Sequence, residues 1–339
     1  MPAVVYVACA DSKEIYVAHL DDGTGVLEVI QRAAVPGAVM PLAIAPGRRF
    51  LYASLRSEPF SVATLQIDRA AGTLRLVSTV PLPDSMAYLS TDKTGRFLFG
   101  ASYSGDKISI NTIGDDGLVD AEPVQIVATP SHPHSVLVGP SNRHVFVPCL
   151  GSDVISQYRF DAATGRVAPH TPPAVKAKHK AGPRHLVFHP GGRFAYCTNE
   201  LDATVGAFRV DAAAGTLSPI GAQSLLPAGH RGRPPFAAAD IHITPDGRRL
   251  YASERASNSL TGFSIDGVTG ALTPVGNVPT EETPRGFNVD PRGRFLLAAG
   301  QVSNHLTAYT IDPGGGGLVP RHRYRMGENP NWVESIDLR

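Results

Sequence analysis

The chain has 339 residues, a formal net charge of +1 and only 18% charged residues. A balance so close to neutral gives no electrostatic footing for nucleic acid or an anionic membrane surface, and neither is expected as a partner. Three cysteines, at 9, 149 and 197, show neither metal-ligand spacing nor an even count for pairing. They read as buried strand thiols of a cytoplasmic protein.

In chain order, the residues ahead of Asp11 carry no basic leader and no long apolar run, so a signal peptide is not expected. No later segment approaches the ~20 apolar residues of a membrane helix. Val4, Tyr6 and Val7 form the first short apolar run. Then one phrase recurs six times. It first reads Pro46-Gly47-Arg48-Arg49-Phe50-Leu51-Tyr52 and returns at 93–99, 140–146, 190–196, 245–251 and 291–297. Its starts are separated by 47, 47, 50, 55 and 46 residues, and such a period signals a repeat architecture.

Each phrase is a polar turn between two β-rich runs. Around the fourth, Leu186-Val187-Phe188 precedes the turn and Phe194 to Cys197 follows it. A third run covers 204–210, a Gly-centred turn falls at Gly215, and a fourth run covers 217–224. Short β-branched or aromatic runs bounded by Gly, Pro, Asp and Asn are strands. Four antiparallel strands per repeat make one propeller blade, and nothing sustains a helical hydrophobic period.

Tyr6 lies one period before Tyr52, so the N-terminal run is the second strand of a blade that lacks its first. Residues 329–336, which include Trp332, resemble the first-strand segments around Arg184 and Arg285. The expected fold is therefore an all-β, seven-bladed propeller spanning residues 1–339 as one domain, closed by pairing the two termini. Closure removes exposed sheet edges. Trp332 reads as a closure anchor rather than a binding platform.

In a propeller the first strands line a central channel, and two rings of residues at one mouth follow from spacing. Six residues ahead of each turn lie Met40, Ala87, His134, Arg184, Ala239, Arg285 and, by shape, Asn331. Four residues after each phrase lie Arg56, Tyr103, Leu150, Glu200, Arg255, Gln301 and, from the N-terminal blade, Ala10. Polar members crowd one side: His134, Arg184, Glu200, Arg255, Arg285 and Gln301. A carboxylate among cations stays charged and suits acid–base work, and arginines fork onto anionic substrates. The same Arg184, Glu200 and Arg255 equally suit a structural ion-pair network. Asp240 and His242, inside an innermost strand, are either channel-lining groups or a satisfied pair. Lys176, Lys178, His179 and Lys180 precede Arg184, and His230, Arg231 and Arg233 sit in the longest repeat. Both clusters suit a phosphate or carboxylate, and both also read as solvated loops. No Gly-x-Ser-x-Gly elbow, His-Glu-x-x-His, Walker loop or dinucleotide fingerprint occurs.

Residues 182–190, 199–201, 239–247 and 284–290 carry a resemblance that extends over essentially the whole chain. In them the chain resembles the seven-bladed propeller lactonases, a family that includes bacterial phosphogluconolactonases and fungal carboxy-cis,cis-muconate lactonizing enzymes. The likeness is nearest to the bacterial branch. It implies a metal- and cofactor-free hydrolase that converts 6-phospho-D-glucono-1,5-lactone to 6-phosphogluconate in the pentose phosphate pathway. It places the family's catalytic residues on His134, Arg184, Glu200 and Arg255. On this reading Glu200 is the general base, Arg184 or Arg255 steadies the oxyanion, and His134 protonates the ring oxygen or orients the water. Arg285, His185, Gln301, His242 and Lys180 are the expected substrate-binding residues, with Arg285 and the 176–180 loop on the phosphate. The expected protein is a monomer or weak homo-oligomer. A lactonase or lactonizing enzyme for a non-phosphorylated sugar or organic-acid lactone, and a noncatalytic propeller that binds partners by its top face, are the alternatives. The second would show exposed apolar loops there in place of a polar cluster.

Overall fold

A computed structural model describes residues 3–227 and 235–338. The cluster at His230, Arg231 and Arg233 lies outside the described residues. The described chain forms 28 strands in seven four-stranded antiparallel sheets. Its helical content is one 3-10 turn, Leu150–Ser152.

The seven sheets are the expected blades. The N-terminal blade takes its outer three strands from β1 (Ala3–Cys9), β2 (Glu14–Leu20) and β3 (Leu27–Ala34), and its innermost from β28 (Pro330–Ile336). The closing pairs run from Val4 opposite Ile336 to Cys9 opposite Pro330. Six consecutive blades follow, each beginning with an innermost strand: β4 (Val39–Ile44), β8 (Met86–Thr91), β12 (Leu137–Val138), β16 (Pro183–Phe188), β20 (Ala238–Ile243) and β24 (Pro284–Val289). All three cysteines are buried and unpaired, as expected. Burial pushes each thiol up to about 12.

The recurring phrase turns out to be the glue between blades. In the three phrases that end in tyrosine, the hydroxyl donates across to a glycine carbonyl in the outer hairpin of the next blade: Tyr52 to Gly117 at 3.0 Å, Tyr196 to Gly270 at 3.0 Å and Tyr251 to Gly316 at 2.7 Å. Tyr6 repeats the contact with Gly72 at 2.9 Å. In the first and fourth phrases the ring two residues earlier, Phe50 or Phe194, fills the space beside the same glycine. At Gly270, where φ is +77°, an added Cβ would lie 2.4 Å from the Phe194 ring. Only glycine meets both the left-handed backbone and this close approach. The core is accordingly a series of apolar layers between adjacent blades, such as Phe194, Val205, Leu250 and Phe263 between the fifth and sixth sheets in the chain's order.

Candidate active site at the mouth of the channel

Every innermost strand but β12 slips register at the first ring. The ladder skips between Val39 and Leu42, Met86 and Tyr88, Pro183 and Leu186, Ala238 and Ile241, and Pro284 and Gly286. In β28 the slip leaves out Asn331. The residues left out include Met40, Ala87, Arg184, Ala239, Arg285 and Asn331, six of the seven ring positions. A bulge frees a residue from the ladder and re-aims its side chain. In the β12 blade the chain around His134 stays outside the strand, held by its N–H to Pro148 O at 2.9 Å.

Where these residues meet the second ring there is a cavity of about 170 Å³, lined by Arg56, Ala87, Tyr103, His134, Glu200, Arg255 and Arg285. All seven come from the two rings read from spacing. Arg184 lies behind Glu200 with 1% of its side chain exposed, its Nε 2.8 Å from Glu200 Oε2. That contact is ionic and poorly aligned as a hydrogen bond. Arg255 Nη2 is 2.9 Å from the other oxygen, Oε1. Burial pushes the Glu200 pKa up, but Arg184 and Arg255 more than offset it, so the group sits below its ordinary range.

The remaining cations are less well compensated. Arg285 has no ion-pair partner among the described residues, and burial followed by Arg184, Arg255 and Arg56 works against its charge. Arg56 donates from Nε to Ser85 Oγ at 2.9 Å, a neutral partner. His134 is 6% exposed. Burial, then Arg184, His185 and Arg285, hold its pKa well below the usual histidine value, so its imidazole is neutral.

A second layer lies deeper in the channel. His185 Nδ1 is 2.9 Å from Asp240 Oδ1, and His242 Nε2 is 3.2 Å from Asp240 Oδ2. Asp240 and His242 are thus a satisfied pair, with His185 as a third member. Trp332 stands beside them, 5.6 Å from the His185 ring and 5.4 Å from Tyr88, and donates to Glu334 at 2.9 Å. Burial raises Glu334 to about 7.

The structure therefore brings His134, Glu200, Arg255 and Arg285 together around one cavity, with Arg184 in contact. His185 and His242 sit below it. Gln301 donates to Asn329 at 2.9 Å and does not line the cavity. Lys180 is exposed in the loop after β15 (Arg166–Lys176) and is not brought to it either. Lys178 lies 3.9 Å from Asp202. Sequence reasoning placed Arg56 and Tyr103 on the second ring without choosing them as site residues. Their signal was position alone, because their neighbours Met40 and Ala87 are apolar. Tyr88, Trp332 and Glu334 lie on the same strands, one and three residues beyond the first ring.

Fold and site together define a seven-bladed propeller with a polar, cation-rich channel mouth. The chain belongs to the seven-bladed β-propeller lactonase family, whose model matches residues 4–335. It is 44% identical over 338 residues to a 6-phosphogluconolactonase of Pectobacterium carotovorum, covering 100% of both chains. With a 6-phosphogluconolactonase of Serratia proteamaculans it shares 43% over 336 residues, 99% of each. Among solved structures, the periplasmic gluconolactonase of Pseudomonas aeruginosa superposes with a TM-score of 0.93 at 28% identity, covering 100% of both chains.

Proposed function

We propose that this protein hydrolyses 6-phospho-D-glucono-1,5-lactone to 6-phosphogluconate, the lactonase step of the pentose phosphate pathway. The observation that carries this reading is the excess of positive charge around the cavity: Arg56, Arg255 and Arg285 line it, Arg184 backs it, and Glu200 is its sole carboxylate among the described residues. An unpaired, largely buried guanidinium is costly unless an anion completes it. A phosphate, with close to two negative charges, completes Arg285 and Arg56. The names of the full-length relatives support the same substrate. Three unpaired buried thiols suit the reducing cytoplasm, where we place the reaction.

In this mechanism a water enters between Glu200 and His134 and attacks the lactone carbonyl. Glu200 takes one of its protons. His134, neutral, orients the water rather than supplying an acid. Arg255 lines the cavity and Arg184 does not, which supports Arg255 as the donor to the developing oxyanion. The proton held by Glu200 then passes to the ring oxygen as the C–O bond breaks. Because the arginines depress its pKa, Glu200 is a weak base, and much of the rate enhancement falls to the guanidiniums.

A second reading, a gluconolactonase for the unphosphorylated sugar, is favoured by the likeness to the Pseudomonas aeruginosa structure. Initial rates on both lactones, corrected for spontaneous hydrolysis, separate the two. A higher kcat/KM for the phosphorylated lactone is expected. Arg285→Ala is expected to raise KM for that lactone ~10–100-fold, the loss of a charge-assisted contact, and to leave glucono-1,5-lactone within about twofold. Equal effects on both lactones would reject the phosphate subsite.

A further inference from the structure

The layer beneath the cavity contains a line of groups that the hydrolysis above does not use. Asp240 is 7% exposed and His185 is 3% exposed. Asp240 accepts from four directions: Ile241 N at 3.0 Å and His185 Nδ1 at 2.9 Å on Oδ1, and Phe287 N at 3.1 Å and His242 Nε2 at 3.2 Å on Oδ2. So many donors fix it as a carboxylate, and a carboxylate on Nδ1 fixes the proton of His185 there. Its Nε2 is then a bare acceptor, buried and without a partner among the described residues. The His134 ring is 5.2 Å away, tilted by 60°, and its own buried Nδ1 is likewise without a partner among the described residues. Two adjacent buried imidazoles, each with one unmatched nitrogen, satisfy each other if one donates to the other.

We propose that Asp240 and His185 are positioning residues for His134. Asp240 sets the tautomer of His185, and His185 Nε2 in turn keeps the proton of His134 on Nδ1, directly or through one water. His134 then presents its Nε2 lone pair to the cavity, where it accepts a hydrogen bond from the attacking water. No net proton leaves the line. The arrangement keeps the water's oxygen lone pair directed at the carbonyl while Glu200 receives the other proton. Burial, followed by Arg184, brings His185 down to about 4, so it stays neutral and its Nε2 stays bare over the working range.

This role for His134 rests on the lactonase reading, whereas the tautomers do not, and both can be read separately. In the full-length protein labelled with 15N-histidine, long-range 1H–15N spectra at pH 7 are expected to show His185 and His134 both protonated on Nδ1. Asp240→Asn keeps the volume and removes the charge. It is expected to abolish the single tautomer of His134, lower kcat ~10–100-fold, as loss of an orienting outer-shell group does, and leave KM within about twofold. His185→Phe keeps the ring packed against Tyr88 and Trp332 while removing both nitrogens, and is expected to do the same if Asp240→Asn does not fold. A His134 proton on Nε2 in the wild type would overturn the proposal. So would a folded variant that keeps the His134 tautomer or keeps kcat within twofold. A wild type inactive on both lactones, with the expected tautomers, would instead count against the lactonase reading.

Discussion

Glu200 holds two guanidiniums at once, and one of them belongs to a side chain with 1% of its surface exposed. The catalytic and structural readings of Arg184, Glu200 and Arg255 therefore overlap in the same atoms. Glu200→Gln is expected to lower kcat ~10²–10⁴-fold, the contribution of a general base. It is also expected to lower Tm, because Arg184 would be left as a buried charge without its partner. Steady-state rates and a melting curve on the same sample check both, and an unchanged Tm would remove the structural half. The sign of the pH effect follows from the depressed pKa. An ordinary glutamate protonates near 4.5, and folded Glu200 does so lower still. Its contribution to stability is present above pH 4.5 and is lost as pH falls through the depressed value. Residue choice was the part least legible in the sequence. Spacing placed all seven cavity positions in two rings, but Lys180 was chosen for its charge, and charge says nothing about burial or direction. The contact between His185 and Asp240 was not legible either, since the two are 55 residues apart in the chain.

At the scale of the strand and turn, the repeated phrase was legible because its residues do local work. Asp290 shows how. It is fully buried, and its oxygens accept from Arg292 N at 3.0 Å, Arg294 N at 2.5 Å and Phe295 N at 2.6 Å. Asp92 does the same in the third blade's turn. Asp290→Ala leaves three backbone donors without their acceptor and is expected to destabilise by about 2–4 kcal/mol in urea unfolding, on the scale of buried groups left unpaired. The bulges in the innermost strands were not legible, since a bulge needs no special residue and shows only in pairing. Strand β28 carries its own test. Folded Glu334 keeps its proton up to about 7, whereas an unfolded chain releases it near 4.5. Stability from this group is therefore lost as pH rises through that window. Glu334→Gln cannot ionise, so it should gain on the wild type between pH 5 and pH 8 when urea midpoints are compared. A constant difference across that range would show that Glu334 titrates normally.

For the whole molecule, the ring was legible because Tyr6 falls in phase with the six phrases and the C-terminal segment supplies the missing strand. The pairing of Val4 to Cys9 with Pro330 to Ile336 bears this out. Deleting residues 329–339 is expected to leave β1 as an open edge and to give insoluble protein or the loss of a single cooperative transition. A truncated protein that stays monomeric with an unchanged melting curve would contradict that. The same seam sets a timetable. A ribosome makes β1 before the six following blades and its partner β28 after them, so the edge of β1 stands unpaired while they are added. Trp332 and Glu334, which complete the layer under the cavity, also arrive only with β28. A nascent chain can thus stack blades as they emerge, but its channel stays incomplete until β28 has been made. The slow and aggregation-exposed interval of this protein's life falls before closure.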